Sequence, residues 1–390
     1  MTLRFLTAGE SHGPALIATL DGLPSGLKVD LDSINADLAR RQSGSGAGPR
    51  MKMEQDRAVI LGGLMGGHTT GAPLAMMIEN RDHAHWKGIS VDPFTIPRPG
   101  HADLTGAVKF GYSDLRPALE RASARETATR VAVGSVCRQL LANFGIEVGG
   151  YVTSIGSVEA NLQSIPLQER ISIARKSDTG CPDPSASQAM QTLIRETTLA
   201  KDTLGGIIEA VAIGLPVGLG SFTQWDKRLE ARIGAAILSI QAIKGVEIGP
   251  AFENTRHPGT SVQDAIHVEN SQLIRPSNRC GGIEGGISNG LPVIVRAAMK
   301  PIATTLTPQS SVNLATGEGI DTRYERSDFC PVPRAVVVVE SMLAFVLADA
   351  LLEKLGGDSL SEMRPRYENL KKMRLGDLTM DNTAHIWWPE

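Results

Sequence analysis

The order of strand-like and helix-like segments is the feature that most limits what this chain can fold into. Short runs rich in Val, Ile and Leu, bounded by Gly and Pro, predict β-strands at residues 4–7, 58–61, 73–78, 207–213 and 291–297. Apolar residues at helical spacing predict helices at residues 33–41, 119–144, 226–240 and 335–355. The two kinds of segment do not alternate as βαβ units would, so we expect a mixed α+β fold rather than a doubly wound parallel sheet.

Local signals suggest helix ends and a single domain. Ser33 is a candidate N-cap of the first helix, and Gly145 is a candidate stop for the longest one. Internal repeats, low-complexity tails and long linkers are absent from the 390 residues, so we expect one domain over residues 1–390. Aromatic residues make up only 4%, so the core must be built from aliphatic side chains and alanine.

Composition excludes several classes of protein. The first residues lead directly into polar sequence without a signal-peptide apolar stretch, and no apolar run approaches the roughly 18 residues of a membrane helix. We therefore expect a cytoplasmic protein without a membrane partner. The four cysteines form no CxxC pair, which favours scattered, reduced thiols. The formal net charge of −3 argues against non-specific binding to nucleic acid.

The first polar motif is Gly-Glu-Ser-His-Gly at residues 9–13, just after the first predicted strand. It matches the G-x-S-x-G elbow of serine hydrolases, but those enzymes build most of their sheet before the elbow. Only eight residues precede it here. Ser11 is better interpreted as a polar turn residue and His12 as a candidate proton donor. A hydrolase with Ser11 as nucleophile stays the rival hypothesis.

A basic, glycine-rich segment follows at residues 40–52. Its four cations meet no acid until Glu54, and glycines break up its middle. Guanidinium groups suit phosphate and carboxylate oxygens, and glycines let a backbone close over a ligand. The alternatives are a solvated loop or a nucleic-acid contact, but the segment lacks the aromatic residues on which bases stack.

Two further motifs combine cations with a histidine or serine. Two prolines stiffen the backbone before Gly100 and His101, although a structural turn with an exposed histidine would look similar. In the long predicted helix, Arg121 and Arg125 are four residues apart and should share one face. Ser123 lies between them near a helix N-terminus, which favours an anion. A surface ion-pair array is the alternative interpretation.

The C-terminal half adds weaker signals. A glycine cluster at residues 281–286 would allow a planar ligand to approach the backbone, and Lys300 follows a predicted strand. Arg326 and Asp328 are either a surface ion pair or a ligand contact beside a base. His83 and His85 resemble half of a metal site, but no further ligands follow at useful spacing, so we predict no metal.

Taken in order, these motifs make the chain resemble the chorismate synthase family over residues 3 to about 355, with a weakly matched tail. The segments that carry the resemblance are Gly-Glu-Ser-His12-Gly, Arg-Pro-Gly-His101-Ala-Asp, Glu-Arg121-Ala-Ser-Ala-Arg125-Glu-Thr, Arg326-Ser-Asp328, and the segments at 240–249 and 281–288. The resemblance implies a β-α-β sandwich, with helices packed between antiparallel sheets, and a homotetramer.

The resemblance also implies the reaction. A lyase of this family removes phosphate and a ring proton from 5-enolpyruvylshikimate 3-phosphate to give chorismate, using reduced FMN without net oxidation. This is the last common step of the shikimate pathway to the aromatic amino acids. Two sources of reduced flavin fit the sequence: reduction by the chain itself, with NADPH as reductant, or supply by a separate flavin reductase.

Site residues follow from the matched positions. The resemblance assigns His12 to the leaving phosphate, His101 to the reduced flavin, and Asp328 to proton removal. It assigns substrate binding to Arg41, Arg50, Arg98 and Arg125. It assigns the FMN site to Arg121, Ala122, Ser123, Gln241, Ala242, Gly285, Lys300, Pro301, Ile302, Ala303, Thr304 and Arg326. Many members carry an arginine where this chain has Ala47, and some carry a histidine where it has Ser327.

Overall fold

Two antiparallel sheets form the framework of the chain, which a computed structural model describes over residues 2–47, 55–325 and 327–388. The first sheet has the order β1–β2–β6–β3, with β1 at Arg4–Ala8, β2 at Ala15–Asp21, β6 at Leu74–Glu79 and β3 at Ala58–Gly62. The second has the order β10–β15–β9–β7–β8, with β10 at Ile243–Ile248, β15 at Val293–Met299, β9 at Gly206–Ile213, β7 at Glu147–Ile155 and β8 at Val158–Glu159.

Short hairpins supply the other strands of the described residues. They are β4–β5 (Leu64–Met65, His68–Thr69), β11–β12 (His267–Glu269, Gln272–Ile274), β13–β14 (Ile283–Glu284, Ile287–Ser288) and β16–β17 (Ser310–Val312, Gly319–Asp321). The five strands predicted from the sequence are confirmed as β1, β3, β6, β9 and β15, with ends that differ by at most two residues. The expectation of a mixed α+β fold is also confirmed.

The helices of the described residues range from one turn to 24 residues. They are α1 (Leu31–Gln42), α2 (His83–Trp86), α3 (Asp103–Phe110), α4 (Arg116–Ala122), α5 (Thr127–Ala142), α6 (Leu167–Ala174), α7 (Pro184–Leu199), α8 (Leu229–Leu238), α9 (Ala251–Asn254), α10 (Gly259–Val262), α11 (Val332–Leu355) and α12 (Leu360–Glu368). Short 3₁₀ turns lie at Ala124–Glu126, Trp225–Lys227 and Leu375–Asp377.

Helix α11 is the centre of the core. The expectation that no apolar run approaches the length of a membrane helix is wrong for this segment, because α11 is long and apolar enough to cross a membrane. However, 89% of its most apolar window is buried inside the protein. A helix that is apolar on all sides requires packing partners on all sides. Helix α5 packs against α11 and contacts β2 and β6, whereas α11 contacts β7 and β9. The two helices therefore connect the two sheets.

All four predicted helices differ from the structure at one or more boundaries. Asp30, not Ser33, caps α1, because its carboxylate accepts from the backbone N–H of Asp32 and from the Ser33 hydroxyl. The segment predicted as one helix at 119–144 is broken, because Ser123 has extended backbone angles (φ −61°, ψ 139°). The segment predicted at 226–240 is a 3₁₀ turn followed by α8, and α11 begins three residues before the predicted start.

A glycine allows α5 and α11 to approach closely. A Cβ atom on Gly134 of α5 would lie 2.2 Å from the Cβ atom of Ser341 and 2.4 Å from its Cα atom, both on α11. Such distances are far below van der Waals contact, so a side chain at position 134 would push the helices apart. Gly234 in α8 differs, because, apart from its chain neighbours and the backbone of its own helix, no heavy atom of the described residues lies within 4 Å of the position that a Cβ atom would take there.

Replacing the two glycines should therefore have opposite effects. We expect Gly134→Ala to lower the free energy of unfolding by roughly 1–3 kcal/mol, as overpacking does. Gly234→Ala should raise it by up to about 1 kcal/mol, because alanine favours the helix more than glycine does. Urea denaturation of both variants measures these values. A Gly134→Ala variant as stable as Gly234→Ala would contradict the close helix contact.

A buried carboxylate joins the three helices of the core. Glu340 of α11 is fully buried and accepts two hydrogen bonds from Arg40 of α1, both at 2.8 Å, and one from Arg138 of α5 at 3.2 Å. Burial raises the pKa of Glu340, but the two guanidinium groups outweigh this effect and hold the pKa below its usual value. Arg138 also pairs with Asp37 of α1.

Loss of this carboxylate should be costly. Glu340→Ala leaves two largely buried guanidiniums without their shared partner, and we expect a loss of about 3–5 kcal/mol in the free energy of unfolding. Glu353→Ala on the same helix is the matched control, because its side chain is 54% exposed and pairs with Arg232 at the surface. We expect a change of about 0–1 kcal/mol there. Equal losses in urea denaturation would contradict a special role for Glu340.

Candidate active site

His12 is held in the loop between β1 and β2. Its Nδ1 atom donates to Glu120 Oε1 at 2.7 Å, and its backbone N–H donates to Glu120 Oε2 at 2.8 Å. The ring of Trp86 lies 4.5 Å from the imidazole ring, centre to centre. The Nε2 atom lies 3.8 Å from the buried carboxylate of Asp82. The imidazole ring is therefore fixed from several sides.

Two of the expected substrate arginines meet at one buried carboxylate. Asp56 is 5% exposed, and its Oδ2 atom accepts from Arg125 at 2.7 Å and from Arg41 at 3.3 Å. Arg41 also donates to Thr127 and to the carbonyl of Ala124. Because Arg41 lies in the last turn of α1 and Arg125 lies in the break after α4, this contact joins two distant chain segments.

The proline-bounded turn carries the second histidine in a charged cluster. His101 Nδ1 lies 2.6 Å from Asp103 Oδ1, and the guanidinium of Arg98 donates to both oxygens of the same carboxylate, at 2.8 and 2.9 Å. Burial raises the pKa of Asp103, but the hydrogen bonds from His101 and Arg98 outweigh it and hold the pKa well below its usual value. Arg98 also donates to Thr304.

Lys300 ties this turn to the segment expected to bind flavin. Its Nζ atom donates to the carbonyl of Gly100 at 3.1 Å, and its backbone N–H donates to the carbonyl of Ala242 at 2.9 Å. Ala242 has a positive φ of 67°, which is uncommon for a residue with a side chain. Gln241 and Lys300, distant in sequence, are thus brought close together.

A recess of about 320 Å³ opens beside Gln241. Its lining residues are Phe5, Leu6, Thr7, Arg121, Glu126, Arg130 and Gln241. Arg121 donates to the backbone carbonyl and the hydroxyl of Thr7, at 3.0 and 2.8 Å. The carboxylate of Glu126 accepts from Thr7, Arg130 and Gln241. The Oε1 atom of Gln241 is buried and has no hydrogen-bond partner among the described residues.

Asp328 forms an ion pair with Arg334 at the start of α11. Burial, together with the nearby charge of Arg41, lowers the pKa of Arg334 to about 9. The glycine segment reaches the same place, because the carbonyl of Gly46 accepts from the backbone N–H of Phe329 at 3.1 Å. Asp328, Arg41 and the start of the glycine segment therefore belong to one neighbourhood.

Several expected site residues do not enter these contacts. Arg50 and Arg326, as well as Gly48, lie outside the described residues. Gly285 lies at the tip of the β13–β14 hairpin, where its positive φ of 58° suits a glycine. The next residue, Gly286, packs against Arg228 at the start of α8.

The expectation that Arg121 and Arg125 share a helical face is wrong. The break at Ser123 sends Arg121 to the exposed edge beside Thr7 and Arg125 into the protein, where its side chain is 2% exposed. Ser123 caps the turn by accepting from the backbone N–H of Arg125, and it donates to the hydroxyl of the buried Ser11. One of the free N–H groups expected to attract an anion is therefore already satisfied.

The partners of the site residues were not found from the sequence. They are Asp56, Glu120, Asp103, Thr7, Asn80 and Arg334. Asp103 stands inside the motif of its histidine and Glu120 inside the motif of Arg121, so a search for carboxylates within the motifs would have found those two. Isolated residues such as Asp56 carry no local pattern.

A separate group of potential metal ligands lies away from this neighbourhood. Atoms of Asp264, Cys280 and Glu284 lie within 4.8 Å of one another. Asp264 already accepts from the backbone N–H groups of Arg279 and Cys280, and Glu284 pairs with Arg275. These bonds explain the arrangement as a stabilised turn. His83 donates to the carbonyl of His12 and His85 lies beside Asp82, so both belong to the surroundings of His12.

The fold and the site together define a class of protein: an α+β protein whose candidate site combines buried arginines with two histidines that contact carboxylates. The model of the family described as chorismate synthase matches residues 3–352. A chorismate synthase of Geobacter sulfurreducens is 49% identical, covering 94% of this chain and 98% of the relative. One of Desulforudis audaxviator is 50% identical, covering 96% and 100%.

A solved structure agrees with these sequence matches. The crystal structure of a chorismate synthase superposes with a TM-score of 0.78 at 43% identity, covering 95% of this chain and 97% of that chain. The chain therefore belongs to the chorismate synthase family, a family of carbon–oxygen lyases in the shikimate pathway of aromatic amino-acid biosynthesis.

The low pKa of Asp103 predicts how its contribution depends on pH. A carboxylate whose pKa is lower in the folded state stabilises the fold above its unfolded pKa of about 4 and loses this effect as the pH falls. We expect Asp103→Asn to lower the free energy of unfolding by about 3 kcal/mol near pH 7, since it breaks a buried charge pair. The difference from the unmodified protein should shrink below about pH 4.

Urea denaturation at several pH values tests this expectation. Asp92→Asn is the control, because the Asp92 side chain is exposed, and its difference from the unmodified protein should stay small at every pH. If Asp103→Asn lowered the free energy of unfolding equally at about pH 3.5 and pH 7, one below and one above the usual pKa of an aspartate, the role of its charge would be contradicted.

Proposed function

We propose that the chain eliminates phosphate and a ring proton from 5-enolpyruvylshikimate 3-phosphate to give chorismate, with reduced FMN as cofactor. This substrate carries two carboxylates and a phosphate, so binding it requires several fixed cations. The strongest support is the pair Arg41 and Arg125, whose side chains are only 7% and 2% exposed in a chain of net charge −3. Buried guanidiniums at such a site are held in place before a ligand arrives.

The proposal gives each site residue a role. His12 donates a proton to the leaving phosphate, His101 acts on the flavin, and Asp328 assists removal of the ring proton. The Nδ1 atom of each histidine is held by a carboxylate, which makes Nε2 the atom that exchanges a proton with a ligand. The substrate-binding residues of the proposal are Arg41, Arg50, Arg98 and Arg125.

The recess beside Gln241 has features that fit a flavin. The guanidinium of Arg121 suits a phosphate group, and the buried Oε1 atom of Gln241 offers an acceptor for a ring N–H. When bound, reduced flavin supplies electron density while phosphate leaves and recovers it as the hydrogen departs. The other FMN-binding residues of the proposal are Ala122, Ser123, Ala242, Gly285, Lys300, Pro301, Ile302, Ala303, Thr304 and Arg326.

Architecture and assembly are part of the proposal. The contacts of α5 with the first sheet and of α11 with the second support a β-α-β sandwich. Exposed apolar side chains on the first sheet, Leu6, Ile17, Val59 and Leu61, support a homotetramer, since subunit contacts cover such surfaces. Light scattering during size-exclusion chromatography tests the tetramer, and fractionation of cells tests the proposed cytoplasmic location.

The source of reduced flavin has two candidates within this proposal. The chain either reduces its own FMN with NADPH or receives reduced FMN from a separate flavin reductase. Flavin absorbance after addition of NADPH to the purified protein with oxidised FMN separates them. Bleaching of the flavin supports reduction by the chain, and unchanged absorbance supports a separate reductase.

The cofactor requirement gives a direct prediction. We expect phosphate release from 5-enolpyruvylshikimate 3-phosphate under anaerobic conditions only with reduced FMN, with many turnovers for each flavin because the reaction is redox-neutral. Phosphate and chorismate are measured together. Equal turnover with oxidised FMN in air, or consumption of one reductant for each product, would contradict the proposal.

The affinity for FMN tests the proposed flavin site without any turnover. Arg121→Gln should weaken FMN binding by roughly tenfold or more, the loss expected for a charged hydrogen bond worth about 1.5–3 kcal/mol. Arg4→Gln on the neighbouring strand is the matched control, because its side chain is 79% exposed and pairs with Asp21. Quenching of flavin fluorescence measures both affinities.

A further inference from the structure

The carboxylate of Glu120 makes an unusual two-point contact with His12, and we propose that Glu120 is a positioning residue for this histidine. It fixes the orientation of the imidazole ring and keeps the proton on Nδ1, so that Nε2 is the atom presented to the ligand. The proposal deepens the proposed function, since it rests on the role of His12 as proton donor.

The geometry shows how one side chain fixes both parts of His12. One oxygen of Glu120 accepts from the ring Nδ1 at 2.7 Å, and the other accepts from the backbone N–H of the same residue at 2.8 Å. The main chain and the side chain of His12 are thus held against one rigid group. The ring of Trp86, 4.5 Å away, limits the remaining rotation.

The charge of Glu120 determines where the proton lies. Burial raises the pKa of Glu120, but the two hydrogen bonds from His12 outweigh it and lower the pKa below its usual value. An ionised carboxylate only accepts hydrogen bonds, so the Nδ1 atom must carry a proton. Nε2 is then the nitrogen that is left to lose or regain a proton.

Other charged groups face the ring from the elements packed around it. Asp82 lies on the Nε2 side at 3.8 Å, which is too long for a hydrogen bond, and His85 lies 3.4 Å from the same carboxylate. His83 donates to the backbone carbonyl of His12, and the charge of Arg116 also acts on Glu120. Two carboxylates therefore face His12, one at Nδ1 and one on the Nε2 side.

The second histidine provides a contrast. Both oxygens of Asp103 accept from Arg98, and one of them also contacts His101. The charge of Asp103 is therefore matched by a guanidinium, whereas both oxygens of Glu120 contact His12.

The key experiment replaces Glu120 by glutamine in the full chain. Nitrogen-15 NMR of the histidine rings reports which ring nitrogen carries the proton, and a His12→Ala spectrum assigns the signal. We expect a proton on Nδ1 in the unmodified protein across roughly pH 6–8, and the Nε2–H form in Glu120→Gln. A proton that stays on Nδ1 in Glu120→Gln overturns the proposal. This measurement needs neither substrate nor flavin, so it is independent of the proposed reaction.

Kinetics with reduced FMN provide the second readout. We expect Glu120→Gln to lower kcat by roughly 10- to 100-fold, part of the 10²–10⁴ that proton transfer contributes, with little change in KM. Unchanged kcat would refute the positioning role. If the unmodified protein released no phosphate at all, the proposed function would fail while the NMR result still stood.

Two further variants separate positioning from structure. Glu120→Asp keeps the charge, so it should retain the Nδ1 proton and recover most of kcat, although its side chain is too short to make both contacts. It also replaces Glu120→Gln as the test if that variant does not fold, in which case loss of the Nδ1 proton in Glu120→Asp overturns the proposal. Asp92→Asn removes an exposed carboxylate near α4 and should leave both readouts unchanged.

Discussion

The charged contact of Glu340 with Arg40 and Arg138 is the constraint on which the rest of the structure depends. It lies at the meeting point of α1, α5 and α11, where a charge is costly unless it is paired. Arg40 immediately precedes Arg41 on α1, and Arg334 in the first turn of α11 pairs with Asp328. Fixing α1 against α11 therefore fixes the side chains on either side of the candidate substrate site.

The break at Ser123 has an equally direct effect on the site. A continuous helix would place Arg121 and Arg125 on one face, and both would then serve one ligand group. The extended backbone at Ser123 instead directs Arg121 to the recess beside Gln241 and Arg125 to Asp56. One short segment thereby contributes to two candidate sites, which fits the proposed reaction, in which substrate and cofactor must lie side by side.

The sequence predicts the elements better than the contacts. Strands such as β9 and β15 are predictable because apolar runs bounded by glycine and proline have few other solutions. The break at Ser123 is not predictable, because apolar spacing continues on both sides of it. The choice of Asp30 over Ser33 as the N-cap is not predictable either, because both residues are good caps. Arginines and histidines of the site stand in recognisable motifs. Asp56 and Arg334 do not, because their roles depend on pairings between distant segments.

Carboxylates are as necessary to this site as its arginines. Without an acidic partner, Arg41 and Arg125 would lose hydration on burial with only neutral hydrogen-bond partners to compensate, which is costly for a buried charge. Asp56 removes this cost and also fixes the direction of both guanidiniums. A ligand that meets groups already in place loses less conformational entropy on binding than one that must order them. The same reasoning applies to Glu120 and Asp103, which orient imidazoles rather than guanidiniums. The candidate anion site of this chain, whose net charge is −3, is therefore built from fixed pairs of opposite charge.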